Sequence, residues 1–286
     1  FFLLIALINF KVLAANYVWE IDNQIGFDFR EFHKEEAYSN QKNTYSSFFK
    51  SEIYIELSEQ VSFISEPYYR YDHNDKNRSL FDFKENNFTY LENNYEIKFG
   101  ISEVFWGITE SKNLVDIINT IDYTDGDQKE KLGQPMVSYS TFSDKIGLLE
   151  LYFLPTFKKP SQIGEKGRLR FSKPIEKHNI VYEGGAGGNV PSWAFKWERS
   201  IRNIDLSIQG FRGNSRESSV IPLIENNTLK YFAGYERITQ LGSYLQAISG
   251  PFIYKIEVIK RNGQKNSDNV RENFFSYTFG TEYLYN

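Results

Sequence analysis

Residues 19–30 read Trp-Glu-Ile-Asp-Asn-Gln-Ile-Gly-Phe-Asp-Phe-Arg, and the stretch alternates. Trp19, Ile21, Ile25, Phe27 and Phe29 fall on one side of an extended chain, and Glu20, Asp22, Gln24, Gly26, Asp28 and Arg30 on the other. A dry core cannot take both sides, because a buried row of unpaired charges is prohibitively costly. A strand with one side against lipid and the other against water satisfies both.

The pattern recurs along the chain. Phe49, Ile53, Ile55 and Leu57 alternate with Lys50, Glu52 and Glu56. Tyr95, Ile97, Phe99 and Ile101 alternate with Glu96 and Lys98. Trp193, Phe195 and Trp197 alternate with Lys196 and Glu198, and Tyr254, Ile256 and Val258 with Lys255 and Glu257. Between Phe83 and Phe88 the apolar phase slips by one, which predicts a β-bulge. About twelve strands are expected: 19–32, 44–58, 61–71, 81–91, 95–106, 135–142, 146–157, 192–201, 204–213, 237–249, 252–261 and 272–285. Their connections alternate between tight turns and long loops, as in outer-membrane barrels. The fold class is all-β, a transmembrane antiparallel up-and-down β-barrel. A soluble β-sandwich or barrel is the competing reading.

Composition agrees. The 286 residues are 17% aromatic, yet mean hydropathy is −0.50. A net charge of −4 gives no basic surface for nucleic acid, and the chain has no cysteine. Residues 1–15 carry the apolar run Phe1 to Ile8 and a small-residue site at Ala14-Ala15. They read as a signal peptide lacking its basic start, with a buried first strand or helix as the alternative. Residues 16–286 are then the barrel, expected to be an incomplete part of one with 14–18 strands.

The third long loop, 107–134, is the candidate constriction. Ser111 is placed to cap a short helix whose apolar side, Leu114, Ile117, Ile118 and Ile121, needs a wall to pack on. Leu148, Tyr152 and Leu154 are the expected partners. Asp116, Asp122, Asp125 and Asp127 would make such a constriction favour cations. Their spacing misses a calcium-binding loop, so no metal and no cofactor is expected. The candidate lumen lining is Glu20, Asp22, Asp28, Arg30, Lys50, Glu52, Glu56, Lys98, Lys196, Glu198, Lys255 and Glu257. The loop at 158–191 is basic and faces either the acidic third loop or anionic lipopolysaccharide. The only histidines, His33, His73 and His178, lie in expected loops without a wall-borne Ser or Asp partner, so no enzyme is expected.

Tyr95-Glu96-Ile97-Lys98-Phe99-Gly100, Val104-Phe105-Trp106-Gly107 and Leu114-Val115-Asp116-Ile117-Ile118-Asn119 resemble a group of porin-like outer-membrane proteins of Gram-negative bacteria. Lys131 to Met136 and Phe211 to Glu217 extend the resemblance. It implies an outer-membrane barrel longer than this chain and no catalytic residues. The expected function is a channel for small hydrophilic solutes, with outer-membrane lipid and the barrel-assembly machinery as partners. The alternatives are a loop-plugged structural or ligand-binding barrel and, third, a barrel lipase or protease.

Overall fold

A computed structural model describes residues 2–14, 17–33, 42–110, 112–124, 130–168, 170, 172–266 and 268–285. Every regular element among them is a strand. There are fifteen: β1 Phe2–Ala14, β2 Tyr17–Glu31, β3 Asn43–Glu56, β4 Val61–Asp72, β5 Leu80–Glu92, β6 Tyr95–Ser102, β7 Gln134–Ser143, β8 Gly147–Leu154, β9 Ile175–Glu183, β10 Ser192–Ile201, β11 Ile204–Asn214, β12 Ser219–Glu225, β13 Thr228–Ser249, β14 Phe252–Lys265 and β15 Arg271–Tyr283. Thirteen follow one another in an antiparallel up-and-down sheet, β1-β2-β3-β4-β5-β6-β7-β8-β10-β11-β13-β14-β15. Among the described residues the sheet is open, with β1 and β15 at its edges.

The twelve expected strands are all present, and three more accompany them. β1 occupies the segment read as a leader and pairs with β2 from Phe2↔Phe29 to Ala14↔Tyr17. β12 and the first part of β13 lie where a long loop was expected. They form a hairpin whose turn residues, Asn226 and Asn227, both have left-handed φ, of 50° and 58°. That is the geometry a two-residue hairpin turn requires, and Asn tolerates it. β9 sits inside the expected basic loop and pairs in parallel with the same outer portion of β13. Its Ile175, Ile180 and Tyr182 join Phe157, Ala233 and Tyr235 in a small apolar cluster, which is what draws this segment out of solvent. β13, at 22 residues, therefore serves two sheets in succession.

The expected bulge is real. Pairing of β4 with β5 shifts between Ser65↔Asn86 and Pro67↔Phe83, so β5 carries the extra residue. Opposite it on β6, Gly100 has φ of 145°, and a Cβ there would collide with the Asn86 carbonyl. Glycine is the residue that accepts both conditions.

Register fixes which side chains share a face. Asp22↔Glu52, Gln24↔Lys50↔Tyr68, Thr89↔Lys98↔Ser138↔Tyr152↔Ala194↔Phe211 and Tyr244↔Glu257 all belong to one face. The opposite face carries Phe27, Tyr69, Phe99, Leu151, Trp193, Ile208, Leu241 and Phe279, all exposed. Exposed apolar side chains on one face of a whole sheet far exceed the patches soluble monomers tolerate.

Candidate functional site: a loop folded across one face

The connection from β6 to β7, described at residues 103–110, 112–124 and 130–133, does not project from the sheet there. It packs on the polar face. Trp106, Val115, Ile117 and Ile118 are buried against Met136 of β7, Tyr152 and Leu154 of β8, Ala194 of β10, Phe211 of β11, Ile238 and Tyr244 of β13 and Ile259 of β14. Each such side chain contributes about 1.5–3 kcal/mol by leaving water. Tyr152 and Leu154 are the expected wall partners, and Trp106 meets Tyr152 edge-on at 5.8 Å. Leu148 lies on the same face opposite Glu198 but outside this cluster.

No helix forms over 112–121. The backbone is committed elsewhere. The N–H groups of Ile108 and Thr109, and the Thr109 hydroxyl, donate to Glu257 Oε1 at 2.8, 2.9 and 2.8 Å. Those of Leu114 and Val115 donate to Glu257 Oε2 at 2.7 and 3.3 Å. Asn113 donates to the Trp106 carbonyl at 2.5 Å, and Asn119 donates to the carbonyls of Ser102 and Leu132 at 2.9 Å each. These bonds, not an i to i+4 ladder, satisfy the segment. Burial follows suit: Val115 and residues 117–120 are covered, whereas Leu114 and Ile121 are only half-buried.

The far end of the loop is tied to the opposite part of the sheet. Asp122 accepts from Arg70 of β4 at 2.5 Å, with both side chains almost fully buried, and Thr124 takes a second Arg70 bond at 2.8 Å. Lys84 of β5 reaches Glu130 at 3.1 Å. Gly133 N donates to Asp82 of β5 at 2.9 Å. A Cβ on Gly133 would strike the Phe83 carbonyl. Gly133→Ala is therefore expected to cost about 1–3 kcal/mol by overpacking, read as a lower unfolding midpoint.

These ties imply curvature. Leu114 touches β14 and Asn119 touches β6, six strand steps apart in the sheet. At about 4.8 Å per step that path is roughly 29 Å. Five residues of chain span at most about 17 Å even fully extended, and this segment is bent at 114–115 and 118–119, so the Glu257 and Asn119 side chains that complete the link do not make up the difference. The sheet bends around the loop.

All twelve candidate lining residues stand on the loop-bearing face by register, yet they do not share one environment. Glu257 is fully buried and serves as the loop's anchor rather than as open lining. Asp28 is buried and accepts from Arg30 at 2.9 Å and from Arg78 at 3.5 Å. Lys50 pairs with Glu52 at 2.5 Å, Lys98 with Glu96 at 3.2 Å, Lys196 with Glu198 at 2.5 Å, and Lys255 with Glu282. Of the loop acids, Asp116 binds Lys131 at 2.5 Å and Asp122 binds Arg70, so both are neutralised. Asp125 and Asp127 lie outside the described residues. Burial raises the Asp116 carboxyl above the usual carboxylate range, with Lys131 opposing, and burial raises Glu103 as well. The folded loop thus holds these protons to higher pH than the unfolded chain does. Their contribution favours folding below the unfolded carboxylate range and is lost as pH rises through the raised values.

Sequence reasoning missed Arg216. It follows β11, lies over the rings of Phe157 and Phe211 at 5.3 and 4.9 Å, and donates through Nε to the Ile117 carbonyl at 3.0 Å. Burial, with Arg237 adding repulsion, pulls it down to about 9. It pins the third loop to the start of the fourth.

Two cavities flank the loop. One, of about 130 Å³ at the end with long connections, is lined by Arg30, Asp72, Asp75, Arg78, Lys166 and Arg168 among others. The other, of about 560 Å³ at the short-turn end, is lined by Glu85, Glu96, Lys98, Glu103, Glu150 and Tyr152 among others. Among the described residues, no group of His, Cys, Asp or Glu could hold a metal ion.

No protein-family model matches the chain, and no curated protein does. Among solved structures, Salmonella typhi OmpF in complex with daunomycin is similar at 10% identity and a TM-score of 0.41, covering 97% of this chain and 89% of that one. The architecture of this chain rests on its own strands: an antiparallel up-and-down sheet, bent around an inserted loop.

Proposed function

We propose that this protein is a porin-like channel of a bacterial outer membrane, passing small hydrophilic solutes by passive diffusion around the third loop. One observation carries the reading: the same strands present an exposed apolar face on one side and a charged, loop-bearing face on the other. Lipid takes the first and a wetted lumen the second, as in a transmembrane barrel. Residues 1–15 act as the export leader on this reading, the barrel-assembly machinery inserts the remainder, and the outer loops meet lipopolysaccharide. Among the described residues no catalytic constellation stands out. His73 stacks on Tyr45 at 4.5 Å, an ordinary aromatic contact.

The test is planar-bilayer conductance of the refolded protein. Discrete, long-lived current steps are expected, and a silent bilayer overturns the reading. A loop-plugged barrel is the second reading, favoured by the ties of the loop to both β4 and β14. Removing residues 112–130 separates the two: a large rise from near-zero conductance marks a plug, and a modest rise marks a constriction.

A further inference from the structure

One rung of paired residues crosses the loop-bearing face from β3 to β14. It runs Glu56↔Ser62↔Thr89↔Lys98↔Ser138 and continues Ser138↔Tyr152↔Ala194↔Phe211↔Gln240↔Arg261. Its two halves differ. From Glu56 to Ser138 no member is buried, and the Lys98 side chain is 39% exposed. From Tyr152 to Arg261 every member is buried, with Phe211 2% exposed and Gln240 3%. The border falls between β7 and β8.

The third loop makes that border. Trp106, Ile117 and Ile118 pack on Tyr152, Ala194, Phe211 and Ile238, and Glu257 ties the loop to β14. Ser207 of β11, on the same face between Glu198 and Tyr244, is fully buried. Side chains packed this closely leave no passage for a hydrated solute. On its other side the loop turns Glu103 and Phe105 outward, and both are exposed. They line the cavity of about 560 Å³ together with Tyr54, Ser62, Thr89, Lys98 and Ser138. Toward the long connections, Arg70–Asp122 and Lys84–Glu130 fasten the loop to β4 and β5. Beside those ties, Glu52 of β3 and Asp22 of β2 stay exposed on the same face. The cavity of about 130 Å³ lies at the far end of these two strands, against Arg30 and Thr44.

We infer that solutes pass on one side of the third loop only: between Glu103–Phe105 and the wall of β3 to β7, then along β2 and β3 to the long connections. The inference rests on the channel reading above. The half of the face from β8 to β14 is dry packing that positions the loop. Size and charge selection therefore fall to side chains of the open half, such as Lys98, Glu52 and Glu103. Glu257, Gln240 and Arg261 stand on the same face but meet no solute.

The chain has no cysteine, so single introduced thiols report on the path directly. The matched pair is Ser138→Cys on the open half and Ser207→Cys on the covered half, the same near-isosteric change on the same face. Single channels of each full-length variant are exposed to a membrane-impermeant trimethylammonium methanethiosulfonate from both compartments. The parent chain should be unaffected. Ser138→Cys is expected to react at least about tenfold faster than Ser207→Cys, since a buried thiol is inert, and each reaction should appear as a stepwise loss of current. Thr89→Cys and Ala194→Cys repeat the comparison should either serine variant fail to fold. Open channels in which the covered-half thiol reacts as fast as the open-half one, or in which the open-half thiol leaves the current unchanged, overturn this inference and leave the channel reading intact. A parent chain that forms no channels overturns both.

Discussion

Glu257→Ala is expected to raise channel conductance severalfold and to lower thermal stability by more than any other single change on the loop-bearing face. The carboxylate is fully buried and accepts from four backbone N–H groups and one hydroxyl of the third loop. Removing it leaves those donors in an apolar pocket beside Val115 and Ile259, each facing a desolvation cost of about 1–3 kcal/mol. The loop can recover those bonds only by moving into water, and that movement opens the space it fills. Glu257→Gln keeps one acceptor oxygen and should show an intermediate effect on both readouts. Conductance unchanged in the Ala variant, with its unfolding temperature lowered, would show that the loop does not narrow the path.

The second large effect separates the faces. Ile208, exposed at mid-strand in β11, lies on the apolar face between Trp197 and Ser243. Ile208→Lys places an ammonium in hydrocarbon and is expected to cost about 2–4 kcal/mol of folding stability in lipid vesicles. Ser140→Lys should be close to neutral, because Ser140 stands on the other face between Glu96 and Glu150. Urea titration of both variants in the same vesicles gives the comparison. If Ile208→Lys folds as stably as the parent, lipid does not cover that face.

The two faces were legible because a strand has period two and, apart from one slip, the apolar residues keep that phase within the strands from Trp19 to Phe279. Even the slip between Phe83 and Phe88 was readable, since an extra residue inverts every side chain beyond it. The Asn226-Asn227 turn was equally visible in kind, but it sat inside a stretch read as one long loop. The site was far less legible. A helix over 112–121 fits the spacing of Leu114, Ile117, Ile118 and Ile121, and what defeats it is a carboxylate 143 residues away from Leu114. A charge on the polar side of a strand looks the same in sequence whether it lines an open cavity, as Lys98 does, or receives a loop, as Glu257 does. β9 pairs in parallel with residues more than fifty positions on, and no local signal encodes that choice of partner.

The attachments of the third loop have a mechanical consequence. Glu257 holds one part of it to β14, and Arg70 holds another to β4, across the interior of the bent sheet. A segment fastened at both sides of an arch is a tie rod as well as an obstruction. Its tension and the roundness of the arch are set together. On the channel reading, the width of the path cannot then be adjusted by shifting the loop while the strands stay still, and releasing either fastening is expected to let the sheet flatten.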